Sequence, residues 1–193
     1  MEIMQSFKKF HLLHDPPIMC RVAPDEIVEK YKRILPEQLI AEWREIGWCG
    51  YSQGLLWLVN PDDLREPLTE WLAADGTGAH AFVRTAFGDV IFWTDHGIFF
   101  LDVNHETVFE MTQNIEIVFH FSLCDDDYLD NAIKRKLFQE ALRRLGPLEA
   151  DECYGFAPAI PLGGPGTVET LQKVKVREYL SILAQIHQQK PDK

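Results

Sequence analysis

His80-Ala81-Phe82-Val83-Arg84-Thr85-Ala86, Val90-Ile91-Phe92-Trp93, Ile98-Phe99-Phe100-Leu101-Asp102-Val103, Thr107-Val108-Phe109-Glu110-Met111 and Ile115-Glu116-Ile117-Val118-Phe119-His120-Phe121 decide the fold. β-Branched and aromatic residues dominate all five runs, as they do on a pleated, half-buried surface. Between them stand Gly88-Asp89, Asp95-His96-Gly97, Asn104-His105-Glu106 and Gln113-Asn114, residues suited to tight turns. Connections this short join antiparallel neighbours, so the middle of the chain reads as an antiparallel β-meander.

Outward from that meander the pattern turns helical. Upstream, Ile27, Tyr31 and Ile34 recur at helical spacing after Pro24, and Leu39, Ile40, Trp43 and Ile46 form one apolar stripe after Pro36. Gly47 stands where a left-handed C-terminal cap belongs. Gly54-Leu55-Leu56-Trp57-Leu58-Val59 is a short apolar run that reads as a buried strand. Asn60-Pro61-Asp62-Asp63 then opens a helix, with Asn60 as N-cap and two carboxylates against the positive end of the dipole. Pro67 would kink or break that helix, and Asp75-Gly76-Thr77-Gly78 closes the region. Downstream, Leu129, Ile133, Leu137, Phe138, Ala141, Leu142 and Leu145 predict one helix over 127–145, stopped by Gly146-Pro147. A loop-rich passage follows through Gly166, and Thr167 caps an expected terminal helix. The class is α+β: a helical N-terminal region, an antiparallel β-meander and a helical C-terminal region, divided at 1–78 and 79–193.

The chain has 193 residues, 46% hydrophobic and 25% charged, a globular balance. Its net charge of −11 is spread evenly, with 8 basic against 13 acidic residues before Gly78 and 11 against 17 after it. Such a surface repels phosphate backbones, so direct nucleic-acid binding is not expected, whereas a basic protein partner is. No apolar run reaches the ~20 residues needed to span a bilayer, and Met1–Phe10 lacks the apolar core of a signal peptide. Cys20, Cys49, Cys124 and Cys153 are widely separated, which reads most simply as four free thiols in a reducing cytoplasm.

Four motifs are more idiosyncratic than ordinary core. Gly47-Trp48-Cys49-Gly50-Tyr51 and Leu56-Trp57-Leu58-Val59-Asn60-Pro61 lie in the first half, followed by Ala86-Phe87-Gly88-Asp89, and by Cys153-Tyr154-Gly155-Phe156 with Pro161-Leu162-Gly163-Gly164. On these the segment from Leu35 to Leu72 resembles the GAD-like domain. The segment from about Phe87 to Ile186 resembles the C-terminal domain of immunity proteins against type VI secretion DNase effectors. The resemblance implies a non-enzymatic antitoxin role with a cognate toxin as partner, and carries over no catalytic residue, metal or cofactor.

Possible chemistry elsewhere is thin. His11 and His14 are spaced to share a helix face as metal ligands, but Pro16-Pro17 stops any helix there and no second ligand pair follows. Asp95, His96, Asp102 and His105 would form an acid/base group if the strands brought them together, the basis of an alternative reading as a small metal-dependent or hydrolytic enzyme. Gly163-Gly164-Pro165-Gly166-Thr167 lacks the lysine of a phosphate loop. For a binding role, with a regulatory module as its toxin-free variant, the candidate contacts are Trp48 and Tyr51 on a glycine-flanked loop as aromatic anchors. The candidate acidic contacts are Asp62, Asp63, Glu66 and Glu70 in the first half and Asp125, Asp126 and Asp127 in the second.

Overall fold

A computed structural model describes residues 7–73 and 78–189, so Asp75, Gly76 and Thr77 of the expected turn lie outside the described residues. Its centre is a seven-stranded antiparallel sheet in sequential order. The strands are β1 (Ile18–Arg21), β2 (Trp48–Tyr51), β3 (Leu56–Leu58), β4 (His80–Thr85), β5 (Val90–Thr94), β6 (Gly97–Asp102) and β7 (Thr107–Thr112). The sheet runs past residue 78 without a break, since Leu58 of β3 pairs with Val83 of β4. Helices α1 (Lys8–His14), α2 (Asp25–Tyr31), α3 (Glu37–Glu45) and α4 (Arg65–Leu72) accompany its first half. After the meander come α5 (Ile115–His120), α6 (Asp126–Asn131), α7 (Arg135–Leu145), a second antiparallel pair β8 (Glu152–Phe156) and β9 (Leu171–Lys175), and α8 (Val176–Gln188).

The α+β class and the meander over β4–β7 are as the sequence implies; four local readings are corrected. Ile115–Phe121 is a helix, because Ile115, Val118 and Phe119 are buried at helical spacing while Ile117 and Phe121 face outward. The expected helix over 127–145 is two, broken where Lys134 adopts a left-handed φ of 64°. The loop-rich passage contains β8, and α8 begins at Val176, after β9 has paired with β8. Pro67 sits in the first turn of α4, where its missing N–H costs no hydrogen bond, so the helix continues unbroken. The Asn60 cap is present: its side chain accepts from Asp62 N at 3.1 Å.

The cysteines also need correction. Cys20 in β1 and Cys49 in β2 are joined by a disulfide, while Cys124 and Cys153 are free. Strand pairing brings them together, because Arg21 lies opposite Trp48 and Ile18 opposite Gly50. Gly47, at φ +91°, lets the chain turn into β2, and a Cβ there would overlap the Arg21 carbonyl oxygen.

Two of the other idiosyncratic motifs, Ala86-Phe87-Gly88-Asp89 and Cys153-Tyr154-Gly155-Phe156, meet at a structural junction. Tyr154 N donates to Ala86 O at 2.7 Å. Tyr179 of α8 donates its hydroxyl to Asn104 Oδ1 at 2.7 Å and accepts from Phe156 N, and Asn104 Nδ2 donates to Phe87 O. Gly155 is required because a Cβ would come within 2.8 Å of the Tyr179 ring. Asp89, fully buried, accepts from Thr85 Oγ1, Val103 N and Lys134 Nζ at 3.1, 3.2 and 3.0 Å. Burial pushes its carboxyl above the ordinary range, and the Lys134 ammonium opposes that rise. These two motifs close one core over both halves of the chain.

Candidate functional site

Trp48 and Tyr51 lie in strand β2 and not on an exposed loop, with 5% and 0% of their surface accessible. Tyr51 donates to Glu42 Oε1 at 3.3 Å, and His11 Nε2 lies 2.9 Å from the same oxygen without a well-aligned hydrogen bond. Burial alone would lower the His11 pKa, but Glu42 and Asp15 outweigh it and raise it above the ordinary value. Trp43 meets Trp48 edge to face at 5.5 Å. Both candidate anchors therefore pack the interior, and neither is exposed enough to anchor a protein partner.

The first-half carboxylates are largely neutralised from within. Asp62 accepts from Lys30 Nζ at 2.6 Å, from Tyr31 at 2.7 Å and from Arg65. Asp63 is paired with Arg21 and Glu66 with Arg177, each at 2.7 Å. Glu70 turns Oε2 inward, where it is buried.

The second-half trio is different. Asp125, Asp126 and Asp127 are all exposed at the start of α6. Asp125 Oδ1 caps the helix by accepting from Tyr128 N at 2.8 Å, and Asp126 reaches Arg135 at 2.7 Å. Beside them Phe121, at the C-terminal end of α5, is 64% exposed, with Ile117 one turn before it also exposed. Lys9 Nζ donates to His120 O and sits 5.6 Å from the Phe121 ring centre. A shallow depression of about 350 Å³ is lined by Lys9, Phe121, Ser122, Cys124, Asp125 and Tyr128. His14 supports this face from below: Nε2 lies 2.6 Å from Leu123 O and Nδ1 2.7 Å from Ser52 Oγ. The sequence reading missed Phe121 because it took the segment for a strand of the sheet.

The four acid/base candidates do not assemble into one group. Asp95 and His96 precede β6, whereas Asp102 ends that strand and His105 follows it. His105 Nδ1 lies 2.9 Å from Asp102 Oδ2, but Lys134 Nζ occupies the same oxygen at 3.1 Å. Burial pushes the Cys153 thiol up to about 12, which leaves it un-ionised. His11 and His14 serve separate partners, and among the described residues no group of three or more His, Cys, Asp or Glu is arranged to hold a metal ion.

The model of the GAD-like domain matches residues 5–106. The chain belongs to the GAD-like domain family. Residues 113–187 of this GAD-like protein match a second family model, "T6SS immunity protein Tdi1, C-terminal", which supports an immunity role and a toxin as partner. The exposed α5–α6 face lies inside that second match. A crystal structure of Atu4351 from Agrobacterium tumefaciens is similar, with a TM-score of 0.76 and 20% identity over 93% of this chain and 88% of that one. At that identity the likeness shows the fold alone. No curated protein matches the chain. Among the described residues, no helix is long and apolar enough to cross a membrane.

Proposed function

We propose that this protein is a non-enzymatic immunity protein that binds a cognate type VI secretion toxin, a basic DNase, and blocks it by covering its substrate-binding surface. The observation that carries the reading is the α5–α6 face, where exposed Phe121 and Ile117 adjoin the Asp125–Asp127 run within the immunity-type segment. A nuclease has to display Lys and Arg to hold a polyanion, and an acidic rim steers it into contact. A desolvated aromatic at the centre of the contact then supplies the slow dissociation that screened charges do not. Phe121 fills the anchoring role for which Trp48 and Tyr51 are too deeply buried, and the paired Asp62, Asp63 and Glu66 add a secondary acidic contribution.

The test is titration of the purified protein against the product of the neighbouring gene, assayed as a nuclease. Inhibition at one-to-one stoichiometry, with the toxin recovered intact and association slowing as salt rises, is the expected result. Loss of toxin at substoichiometric inhibitor would mean an enzyme, and His105→Ala, expected to leave protection intact, probes the Asp102–His105 pair directly. We place the protein in the cytoplasm, with the DNA. Fractionation of cells tests this, and alkylation of thiols in the cytoplasmic fraction reports whether the Cys20–Cys49 crosslink is kept there; recovery of the protein only outside that fraction would overturn the placement.

A further inference from the structure

A cavity of about 280 Å³ opens between the first half of the sheet and the start of α8. Its walls are apolar and aromatic: Trp48, Trp57, Leu58, Val59, Leu64 and Val176. Its polar groups are three arginines, Arg21, Arg84 and Arg177, against two aspartates, Asp63 and Asp151. Both aspartates are already engaged, Asp63 by Arg21 at 2.7 Å and Asp151 by Lys175 at 2.8 Å. Arg177 is held by Glu66 outside the cavity.

Arg84 is the exception. It projects from β4 with only 1% of its surface accessible, the most deeply buried cation of the described chain. Nη2 donates to Ala150 O at 2.8 Å and Nη1 to Thr85 O at 3.3 Å, and the guanidinium lies 4.8 Å from the Trp57 ring centre. Among the described residues no carboxylate lies within ion-pair distance of it; Asp151, on the same wall and engaged by Lys175, acts on it only at longer range. Two carbonyl dipoles and a ring face do not neutralise a whole charge removed from water, and such a group ordinarily has an anionic partner. Burial lowers its pKa to about 10, so it remains a cation at neutral pH. The ring beneath it is fixed, because Trp57 Nε1 donates to Gly54 O at 2.8 Å.

We propose that this cavity binds a small carboxylate with an apolar body, its anionic end on Arg84 and its body against Trp48, Leu58, Val59 and Val176. A guanidinium fork matches a carboxylate in shape and charge. A buried cation that shares its long-range carboxylate, Asp151, with Lys175 calls for one further negative charge, and the volume sits at the small end of ligand cavities. Arg21 and Arg177 form the mouth. Their own pairs are exposed and weakly held, so each is free to turn toward an incoming anion. Because Ala150, Asp151, Val176 and Arg177 come from the immunity-type segment and the other walls from the GAD-like segment, an occupant bridges the two. This site is separate from the α5–α6 face and stands or falls independently of it.

The test uses the full-length protein with benzoate and hexanoate as probes and benzamide as the uncharged control. Tryptophan fluorescence and thermal unfolding report occupancy, since Trp48 and Trp57 line the site. A saturable fluorescence change and a rise in Tm with the carboxylates but not with benzamide are expected. Arg84→Met should weaken carboxylate binding by about tenfold or more, and Arg177→Gln by roughly threefold, as loss of charge-assisted hydrogen bonds requires. Should Arg84→Met fail to fold, Arg177→Gln, altered at an exposed residue, still reports. Equal binding of benzoate and benzamide, no binding by either carboxylate, or carboxylate binding indifferent to both substitutions overturns the proposal. So does the finding that Arg84→Met weakens only toxin binding, for then the occupant is an acidic side chain of the partner.

Discussion

Asn60-Pro61-Asp62-Asp63 and Asp125-Asp126-Asp127 begin helical segments by the same local rule and finish in opposite electrostatic states. In both, an Asx side chain caps the first turn and carboxylates follow it toward the positive end of the dipole. At the first, β1, α2 and α8 deliver Arg21, Lys30 and Arg177, all of them from distant parts of the chain, so Asp62, Asp63 and Glu66 are matched cation for anion. At the second, Arg135 answers Asp126 and shares Asp130 with Lys136, and Asp125 and Asp127 stay open to solvent beside Phe121. A capping signature is written locally; whether its charge is spent inside the protein or left for a partner is decided by tertiary structure.

The sharpest way to break the contrast is to release β1, which carries Arg21. Cys20→Ser with Cys49→Ser should cost about 3–4 kcal/mol, the loop-closure value for residues so far apart in sequence. Urea unfolding of the variant, and of the unmodified protein with and without reductant, measures it. Hydrogen exchange should rise in β1 and around Asp62–Asp63 and stay unchanged in α6. A loss spread evenly over both regions would mean that β1 does not hold the first one together.

Phe121→Ala tests the other side. Truncating an exposed aromatic anchor should cost about 2 kcal/mol of toxin affinity, roughly 30-fold, with stability changing by less than about 0.5 kcal/mol. Glu66→Gln, in the matched region, should leave affinity within about twofold. Equal effects of the two substitutions would erase the distinction between the regions.

That distinction was only half legible in the sequence. Asn60 as a cap, the Leu39–Ile40–Trp43 stripe and the β4–β7 meander each depend on near neighbours, and each is present. The Cys20–Cys49 link was invisible because it follows from β1 pairing with β2, and a four-residue strand with mostly exposed side chains carries no alternation to read. Ile115–Phe121 misled for the reverse reason. Its β-branched and aromatic content outweighed a helical burial pattern only six residues long, and Phe121, the residue most suited to a partner, was hidden in that error. Arg84 looked like one polar residue in a strand; only the cavity and the lack of a paired carboxylate give it meaning.

A smaller effect isolates charge from contact at the acidic face. Asp126→Asn with Asp127→Asn leaves the Asp125 cap and Phe121 in place. Toxin association should slow by about three- to tenfold at low salt and converge on the wild-type rate near 0.5 M, where screening acts within a few ångströms. Stopped-flow rates over that salt range report it, and a change in dissociation alone would assign the trio to contact and not to steering.

The smallest effect concerns what holds the face up. His14 is buried, and burial lowers its pKa below the ordinary 6.5, with Arg135 adding to the fall and the Leu123 carbonyl opposing it. With Nε2–H donating to Leu123 O, the neutral ring accepts from Ser52 at Nδ1. A histidine whose folded pKa is depressed contributes stability that is present above 6.5 and is lost as pH falls through the folded value. His11, on the same helix with a raised pKa, works in the other direction: its contribution is full below 6.5 and fades as pH rises through its folded value. The wild-type profile alone therefore mixes the two. The stability difference between wild type and His14→Gln cancels His11, and it should be constant from pH 8 to 7 and then shrink as the solution is acidified. Asp62 is held below the ordinary carboxylate range despite its burial, by Lys30, Tyr31 and Arg65, so the matched region keeps its stability until far lower pH. Hydrogen exchange at pH 5 should accordingly loosen the turn around Leu123 before it loosens Pro61–Leu64. The opposite order would show that the exposed carboxylates, and not His14, set the acid limit of the face.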